Sequence, residues 1–173
     1  MSDSHSQPTN SLPRRKSPRA KFNDYSGGDY FVTICTSNKE HYLGRIKNGE
    51  MIASEIGMEA KKQLYEIPSH YSYAKILNEV VMPNHIHLII RIEAIEDQKT
   101  KTPQKRSLLS VVIGGYKQSV TMFARRHNYE FEWQERYHDH IIRNQYDGRR
   151  LSDYIDNNII NWDKDCFFSS GII

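Results

Sequence analysis

The sequence predicts an α+β domain in which strands and helices follow one another as β-α-β-β-α-β, with one more helix at the end. Four short runs are rich in β-branched and aromatic residues, and two longer stretches repeat apolar residues at helical spacing. One connection between strands, Pro83-Asn84, is so short that its two neighbours must run antiparallel. This order is typical of a ferredoxin-like antiparallel sheet with two helices on one face.

The first half of the chain supplies one strand and one helix. Residues 30–36 (YFVTICT) follow a Gly-Gly pair and have strand composition, and Asn48-Gly49 predicts a tight turn. Apolar residues then recur at helical spacing from Ile52 to Ile67, and Pro68 is expected to end that helix.

The second half supplies three strands and two helices. The strands are predicted at residues 73–82, 85–92 and 137–143. A helix is predicted from Ser107, a favourable N-cap, to His127, and Gly114-Gly115 in its middle predicts a kink or a close contact. Gly148 is expected to introduce the last helix, over about 149–162.

The composition is that of a soluble globular domain. The 173 residues are 38% hydrophobic and 26% charged and include two cysteines, which excludes collagen-like, mostly disordered and disulfide-stapled chains. No apolar run approaches the ~20 residues needed to cross a membrane, and the N-terminal stretch has no signal-peptide character. We expect a single domain over residues 22–165, a short tail over 166–173, and a cytoplasmic protein without membrane contact.

The net charge of +3 is concentrated in two segments. Residues 1–21 hold five basic residues and one acidic residue (5 − 1 = +4), so the other residues sum to about −1. Residues 96–106 (EDQKTKTPQKR) hold four basic and two acidic residues. We predict a flexible basic arm over 1–21 and a mobile basic loop over about 94–106. Positive charge in such segments suits contact with a phosphate backbone, and plain solvation is the alternative.

His85 and His87 form the first candidate site. They lie two residues apart on a predicted strand, so both side chains project from one face, and the apolar residues between and after them project from the other. We expect Ile86, Leu88 and Ile90 to pack beneath the helices and the histidines to stand on the open face. Two imidazoles on one side of a rigid strand suit a divalent metal, although two surface histidines that happen to alternate explain the bare pair as well.

The predicted last helix carries Tyr154 and Asn158, which are four residues apart and would project from one side of it. A strip of apolar residues, Leu151, Ile155 and Trp162, would dock this helix on the sheet. Tyr154 and Asn158 would then lie at the rim of the docked face, where a tyrosine is also an ordinary packing residue.

An asparagine beside an apolar strip needs a polar partner. A metal held by His85, His87 and the carboxamide oxygen of Asn158 would supply one. Two nitrogen ligands with amide and phosphate oxygens suit Mg²⁺ or Mn²⁺ better than a closed structural zinc site.

Several motifs together resemble those of a known family. MPNHIHLII resembles the His-hydrophobe-His motif of the single-tyrosine HUH transposases. With YHDHIIRN and YIDNNIINW, it is similar to their subgroup of REP-associated tyrosine transposases. RRKSPRAKFNDYSGGDYFVTICT and SLLSVVIGGYKQSVT also resemble segments of those proteins, so the resemblance covers about residues 14–162.

The resemblance implies a ferredoxin-like fold and a metal-dependent cut in single-stranded DNA beside a hairpin. Tyr154 matches the nucleophile, His85 and His87 match two metal ligands, and Asn158 matches a polar ligand. Ile159 stands where the family often has proline. Attack by the tyrosine would leave a 5′-phosphotyrosyl link and a free 3′-OH that can later reverse the step, with Mg²⁺ or Mn²⁺ offsetting charge at the phosphate.

Basic residues are candidates for contacts with the DNA backbone, and solvated surface charge is the alternative for each. They are Arg14, Arg15, Lys16 and Arg19 in the arm, and Lys117, Arg125, Arg126, Arg136 and Arg143 in the domain. His138 and His140 also alternate on a strand; His140 is a candidate for a supporting group near the metal, and both are more simply strand residues.

Two other functions stay open at this point. A domesticated protein of this fold would bind hairpin DNA without cutting it, which the presence of Tyr154, His85 and His87 disfavours. A metal-dependent phosphodiesterase would use water as its nucleophile and would tolerate Tyr154→Phe. We expect a nucleoid-associated protein that works as a monomer or a homodimer.

Overall fold

The computed structural model describes residues 27–94 and 107–168. The predicted arm, 1–21, and nearly all of the predicted basic loop lie outside these residues. The strands are β1 Gly28–Cys35, β2 Gly44–Lys47, β3 Glu50–Ala53, β4 Ala74–Val81, β5 His85–Ile92 and β6 His138–Ile142. The helices are α1 Glu55–His70, α2 Leu108–Arg126 and α3 Gln145–Asp156, and short 3-10 turns occupy Ser37–Lys39 and Trp162–Lys164.

Four strands form the main sheet in the order β4-β5-β1-β6, and every neighbouring pair is antiparallel. The predicted fold class is therefore confirmed. Strands β2 and β3 form a separate hairpin inserted before α1. Asn48 and Gly49 join them with φ values of 55° and 76°, the left-handed pair that a two-residue hairpin turn requires.

The two faces of the sheet carry different cores. On one face, Ile86, Leu88 and Ile90 of β5 pack with α1 and α2 in the larger core, as their alternation predicts. On the other face, Ile89 and its neighbours pack against Leu151 of α3 and against Trp162. The histidines share this second face, because they alternate with the residues of the larger core.

Helix α1 differs from its prediction at both ends. Ile52 lies in β3, and the helix starts at Glu55 because the Ser54 side chain caps it by accepting from the Gly57 N–H. Pro68 does not end the helix, which continues to His70. A proline so close to the end removes one backbone hydrogen bond while the last residues still complete the turn.

Helix α2 runs without interruption, and Ser107 caps it as predicted by accepting from the Ser110 N–H. The sequence predicts either a kink or a close contact at the glycine pair inside this helix, and the structure has the close contact. A Cβ at Gly115 would lie 2.0 Å from the hydroxyl oxygen of Tyr71, whereas a Cβ at Gly114 would meet open space.

Helix α3 lies earlier in the chain than predicted. It starts at Gln145, where the Asn144 side chain accepts from the Asp147 N–H, so Gly148 is inside the helix and does not introduce it. It ends at Asp156, because asparagines follow and the Asn157 side chain donates back to the Asp153 carbonyl. Asn158 therefore lies beyond the helix. None of the helices within residues 27–94 and 107–168 has the length and apolarity needed to traverse a bilayer.

Candidate active site

His85 and His87 lie side by side on one face of β5, with ring centroids 4.5 Å apart. The prediction that they stand on an open face is wrong. Their exposed fractions are 0% and 1%, because α3 and the segment after it cover this face. The ring of Phe167 lies 4.6 Å from His85 and that of Trp162 lies 6.0 Å away.

Both imidazoles are held through Nδ1. His85 Nδ1 lies 2.9 Å from Asn84 Oδ1, and His87 Nδ1 lies 2.8 Å from Thr33 Oγ1 on the neighbouring strand. Each ring therefore has Nε2 left for the site. His87 Nε2 lies 3.3 Å from the Tyr154 hydroxyl, and His85 Nε2 is buried with no hydrogen-bond partner among the described residues.

Asp165 completes the cluster. Its Oδ2 accepts a hydrogen bond from the Tyr154 hydroxyl at 2.9 Å and another from Asn158 Nδ2 at 3.0 Å. Its Oδ1 accepts from the Phe167 N–H at 2.7 Å. Ligand atoms of His85, His87 and Asp165 all lie within 4.8 Å of one another.

Asn158 belongs to this cluster although it lies beyond the helix. It is 2% exposed, and its Oδ1 is buried without a hydrogen-bond partner in the described part of the chain. Two buried lone-pair atoms, His85 Nε2 and Asn158 Oδ1, thus lack a donor at the place where Asp165 brings a negative charge. A divalent cation would accept the lone pairs of both atoms, and imidazole, amide and carboxylate ligands suit Mn²⁺ or Mg²⁺. The residues present fit a metal.

The protonation states agree with that fit. Burial lowers the pKa of His85 to about 4 and that of His87 to about 3, so both rings are neutral at pH 7. Burial alone would raise the pKa of Asp165, but hydrogen bonds from Phe167, Tyr154 and Asn158 outweigh it and lower that pKa. Two neutral imidazoles and one carboxylate are the forms that bind a cation.

Tyr154 lies on the third turn of α3 at the rim of the site. Its ring makes an edge contact with Phe31 and with His87, and it is 40% exposed. Burial, followed by the hydrogen bond to Asp165, raises its pKa well above the ordinary value. The phenol is therefore protonated at neutral pH, and it needs nearby positive charge to become a nucleophile.

The structure thus brings together all four residues that the sequence singled out, Tyr154, His85, His87 and Asn158, and adds Asp165. Asp165 was missed because it lies after the predicted helix, between the residues of an irregular turn. Acidic residues at 163 and 165 have no periodicity that would separate one from the other. Asp165 is distinguished from Asp163 only in the folded chain, where the segment after α3 passes back over the sheet.

The other predicted histidines are elsewhere. His138 and His140 are exposed on the edge strand β6, and His140 lies opposite Phe31 in the register. His140 Nε2 lies 2.7 Å from Asp147 Oδ2, and the other oxygen of Asp147 accepts from Arg150 at 2.9 Å. This network ties β6 to α3 and includes neither of the buried histidines nor Asp165.

The candidate DNA contacts in the domain fall in different places. Lys117 is half-buried, and its Nζ donates to the carbonyls of Gln134 and Glu135 at 2.5 and 3.2 Å. Arg125 and Arg126 are exposed at the end of α2, in the helical layer on the far side of the sheet from Tyr154. Arg136 is exposed in the loop before β6. Arg14, Arg15, Lys16 and Arg19 lie outside the described residues.

Of the candidates that the structure describes, Arg143 lines a groove on the face of the sheet that bears the site. The groove, of about 510 Å³, lies between the sheet and the first turns of α3, and Ile89, Ile142 and Arg149 also line it. Ile89 is two residues from His87 on the same face of β5, so the groove and the site are neighbours.

A similar protein occurs in Haemophilus influenzae (strain ATCC 51907 / DSM 11121 / KW20 / Rd), where it is described as an uncharacterized protein. It is 36% identical over 169 residues, which cover 89% of this chain and 93% of that one. No family model matches the chain. A solved structure of a REP-associated tyrosine transposase bound to a REP hairpin is similar in fold, with a TM-score of 0.60 and 20% identity over 86% of this chain and 74% of that one. The resemblance that the motifs carry is thereby confirmed at the level of the fold.

Proposed function

We propose that this chain, which belongs to one family with the Haemophilus influenzae protein and has the fold of a REP-associated tyrosine transposase, is a transposase that cuts and rejoins single-stranded DNA beside hairpins. The observation that carries the proposal is the contact of the Tyr154 hydroxyl with both His87 and Asp165. A phenol held against a buried set of cation ligands is the arrangement that attack on a phosphodiester needs.

The metal would be held by His85 Nε2, His87 Nε2, Asn158 Oδ1 and a carboxylate oxygen of Asp165. Mn²⁺ or Mg²⁺ bound there would withdraw charge from the non-bridging oxygens of the phosphate and orient the phosphorus. His85 and His87 come from β5, and Asn158 and Asp165 come from the segment after α3, so two parts of the fold fix the ligands. Such fixed positions lower the reorganisation that the reaction requires.

Tyr154 would act as the nucleophile. Its oxygen forms a bond to phosphorus while the bond from phosphorus to the 3′ oxygen breaks, which leaves a 5′-phosphotyrosyl link and a 3′ oxygen that takes a proton from water to become a 3′-OH. Asp165 Oδ2, 2.9 Å from the hydroxyl, offers an acceptor for the phenolic proton. The reverse attack by a 3′-OH re-forms a phosphodiester and releases the tyrosine, so no external energy source is needed.

The strand would approach along the groove beside the site. Its apolar lining can contact bases, and Arg143 and Arg149 on its wall can contact phosphates. Arg14, Arg15, Lys16 and Arg19 of the arm would add phosphate contacts at the hairpin.

The test is to incubate the protein with Mn²⁺ or Mg²⁺ and an end-labelled hairpin carrying single-stranded flanks, and to look for a covalent band on a denaturing gel. Tyr154→Phe should abolish the band. Tyr146→Phe is the matched control, because Tyr146 lies on the same helix but is 80% exposed.

The same assay separates the two other functions. Cleavage that survives Tyr154→Phe would indicate a phosphodiesterase that uses water. Binding of the hairpin with no cleavage under any metal would indicate a DNA-binding protein that no longer cuts.

A further inference from the structure

We infer that Asn84 is a positioning residue, which sets the tautomer and the orientation of His85 so that Nε2 faces the metal. The inference rests on the metal site of the proposed function. Asn84 is 1% exposed and lies between the turn residue Pro83 and β5. The sequence predicts it only as part of a tight turn, and the spacing of the motifs does not indicate that it acts on the histidines.

The orientation of the Asn84 amide follows from its other bonds. Its Nδ2 donates to the carbonyl oxygen of Lys39 at 3.1 Å and to that of Phe167 at 2.9 Å. Carbonyl oxygens only accept hydrogen bonds, so the amide cannot be turned the other way without setting its oxygen against two others. Oδ1 is therefore the end that lies 2.9 Å from His85 Nδ1.

This orientation determines where the imidazole proton sits. An amide oxygen has no hydrogen to give, so His85 Nδ1 must be the donor in their hydrogen bond. In a neutral ring the other nitrogen then carries only its lone pair. That nitrogen is His85 Nε2, the buried atom without a hydrogen-bond partner among the described residues. Asn84 thus presents the ligand atom in the form a metal requires.

The Nδ1 partner of the second histidine is a hydroxyl and not an amide. Thr33 Oγ1, 2.8 Å from His87 Nδ1, is a hydroxyl that can both donate and accept. This bond by itself therefore holds the ring of His87 without selecting its tautomer. At His85 the tautomer is selected, because the bonds from Asn84 Nδ2 to two carbonyl oxygens fix the orientation of the amide.

The first measurement needs no substitution. In metal-free wild-type protein at neutral pH, the ¹⁵N chemical shifts of the His85 ring should report a proton on Nδ1 and none on Nε2. A proton on Nε2 would overturn the inference, whatever the protein does with metal or DNA.

Two variants then separate the acceptor of Asn84 from its donors. Asn84→Asp keeps an acceptor for His85 Nδ1 but cannot donate to Lys39 and Phe167, and Asn84→Ala loses both functions. By calorimetry, Mn²⁺ affinity should fall roughly 10- to 100-fold in Asn84→Ala and stay within a few-fold of wild type in Asn84→Asp. Of the two variants, only Asn84→Ala should lose the preference for a proton on Nδ1 of His85.

The matched control is Thr36→Val. The Thr36 hydroxyl lies within hydrogen-bond distance of the backbone carbonyls of Asn84 and Glu40, at 2.9 and 2.7 Å, so its loss disturbs the same turn without touching the amide. Its Mn²⁺ affinity should equal that of wild type. Equal losses in Asn84→Asp and Asn84→Ala, with normal binding by wild type, would mean that Asn84 acts only through its donors and would overturn its positioning role. No Mn²⁺ binding by wild type would instead overturn the metal site of the proposed function and, with it, any role of Asn84 toward a metal.

Discussion

The hydroxyl of Tyr154 lies 3.3 Å from Nε2 of His87, so the proposed nucleophile and a proposed metal ligand are in contact. The contact joins α3 to β5 across the second face of the sheet. Chemistry and metal binding nevertheless depend on different atoms of this pair, and they can be separated by mutation.

We expect Tyr154→Phe to remove covalent attachment to DNA while Mn²⁺ affinity changes by less than about threefold, because the ring keeps its contacts with Phe31 and only the hydroxyl is lost. His87→Ala should weaken both metal binding and attachment. Calorimetry with Mn²⁺ and the denaturing-gel assay measure the two quantities. A large loss of metal affinity in Tyr154→Phe would instead place the phenol among the ligands.

Asp165 provides a second test, because it is the carboxylate in the cluster. Asp165→Asn retains the shape of the side chain but removes its charge, and we expect Mn²⁺ affinity to fall about tenfold or more. Asp163→Asn is the matched control, since Asp163 is exposed in the preceding turn. Equal affinities for wild type and Asp165→Asn would remove Asp165 from the ligand set.

The buried histidines make the stability of the metal-free protein depend on pH. Their pKa values are about 4 and 3 in the folded chain, against about 6.5 in an unfolded chain. Below pH 6.5 the unfolded chain therefore takes up protons that the folded chain does not, so stability is complete above that pH and falls as the pH drops toward 4.

Urea unfolding in EDTA between pH 7.5 and about pH 4.5 should show a loss on the order of a few kcal/mol. The slope should be smaller in His87→Asn than in wild type, because one of the two buried rings is then absent. A wild-type stability that is flat over this range would contradict the neutral, buried state of both rings.

The four strands of the main sheet and the histidine pair were predictable because the two-residue period of a strand is a local property, whereas the β2–β3 hairpin was predicted only as a turn. The alternation of His85 and Ile86 needs nothing beyond the chain itself to point them to opposite faces. The burial of the pair was not predictable in this way. It depends on Phe167 and Trp162 returning over the sheet, and such packing joins residues about 80 positions apart.

The same distinction between local periodicity and long-range packing explains why the sequence indicated Asn158 but not Asp165. The spacing of Tyr154 and Asn158 correctly brought them together, but for the wrong structural reason, because the helix ends before Asn158. What holds both side chains is their shared acceptor, Asp165 Oδ2. An acceptor in an irregular segment has no sequence period, so only the folded chain identifies it.

The glycine pair in α2 allows a stability test with neighbouring residues. Gly114→Ala should stabilise the protein by roughly 0.5–1 kcal/mol, because alanine favours the helix and a Cβ there meets open space. Gly115→Ala should destabilise it, since the Tyr71 ring must move away from a Cβ 2.0 Å from its oxygen. The free energy of unfolding of each variant measures this, and adding Tyr71→Phe should relieve much of the loss at Gly115. Equal effects at the two glycines would contradict the close contact.

The position of the basic residues leads to a last expectation, about which face of the sheet binds DNA. Arg143 lines the groove beside the site, whereas Arg125 lies at the end of α2 on the far side of the sheet. Both are exposed arginines, so replacing either with alanine removes the same charge from the surface. If the strand follows the groove, Arg143→Ala should weaken binding of a hairpin with single-stranded flanks and reduce the slope of log affinity against log salt by about 0.7–0.9, the contribution of one phosphate contact. Arg125→Ala should leave that slope unchanged. Equal changes in the two variants would mean that the net charge of the protein, and not the groove, determines the affinity for DNA.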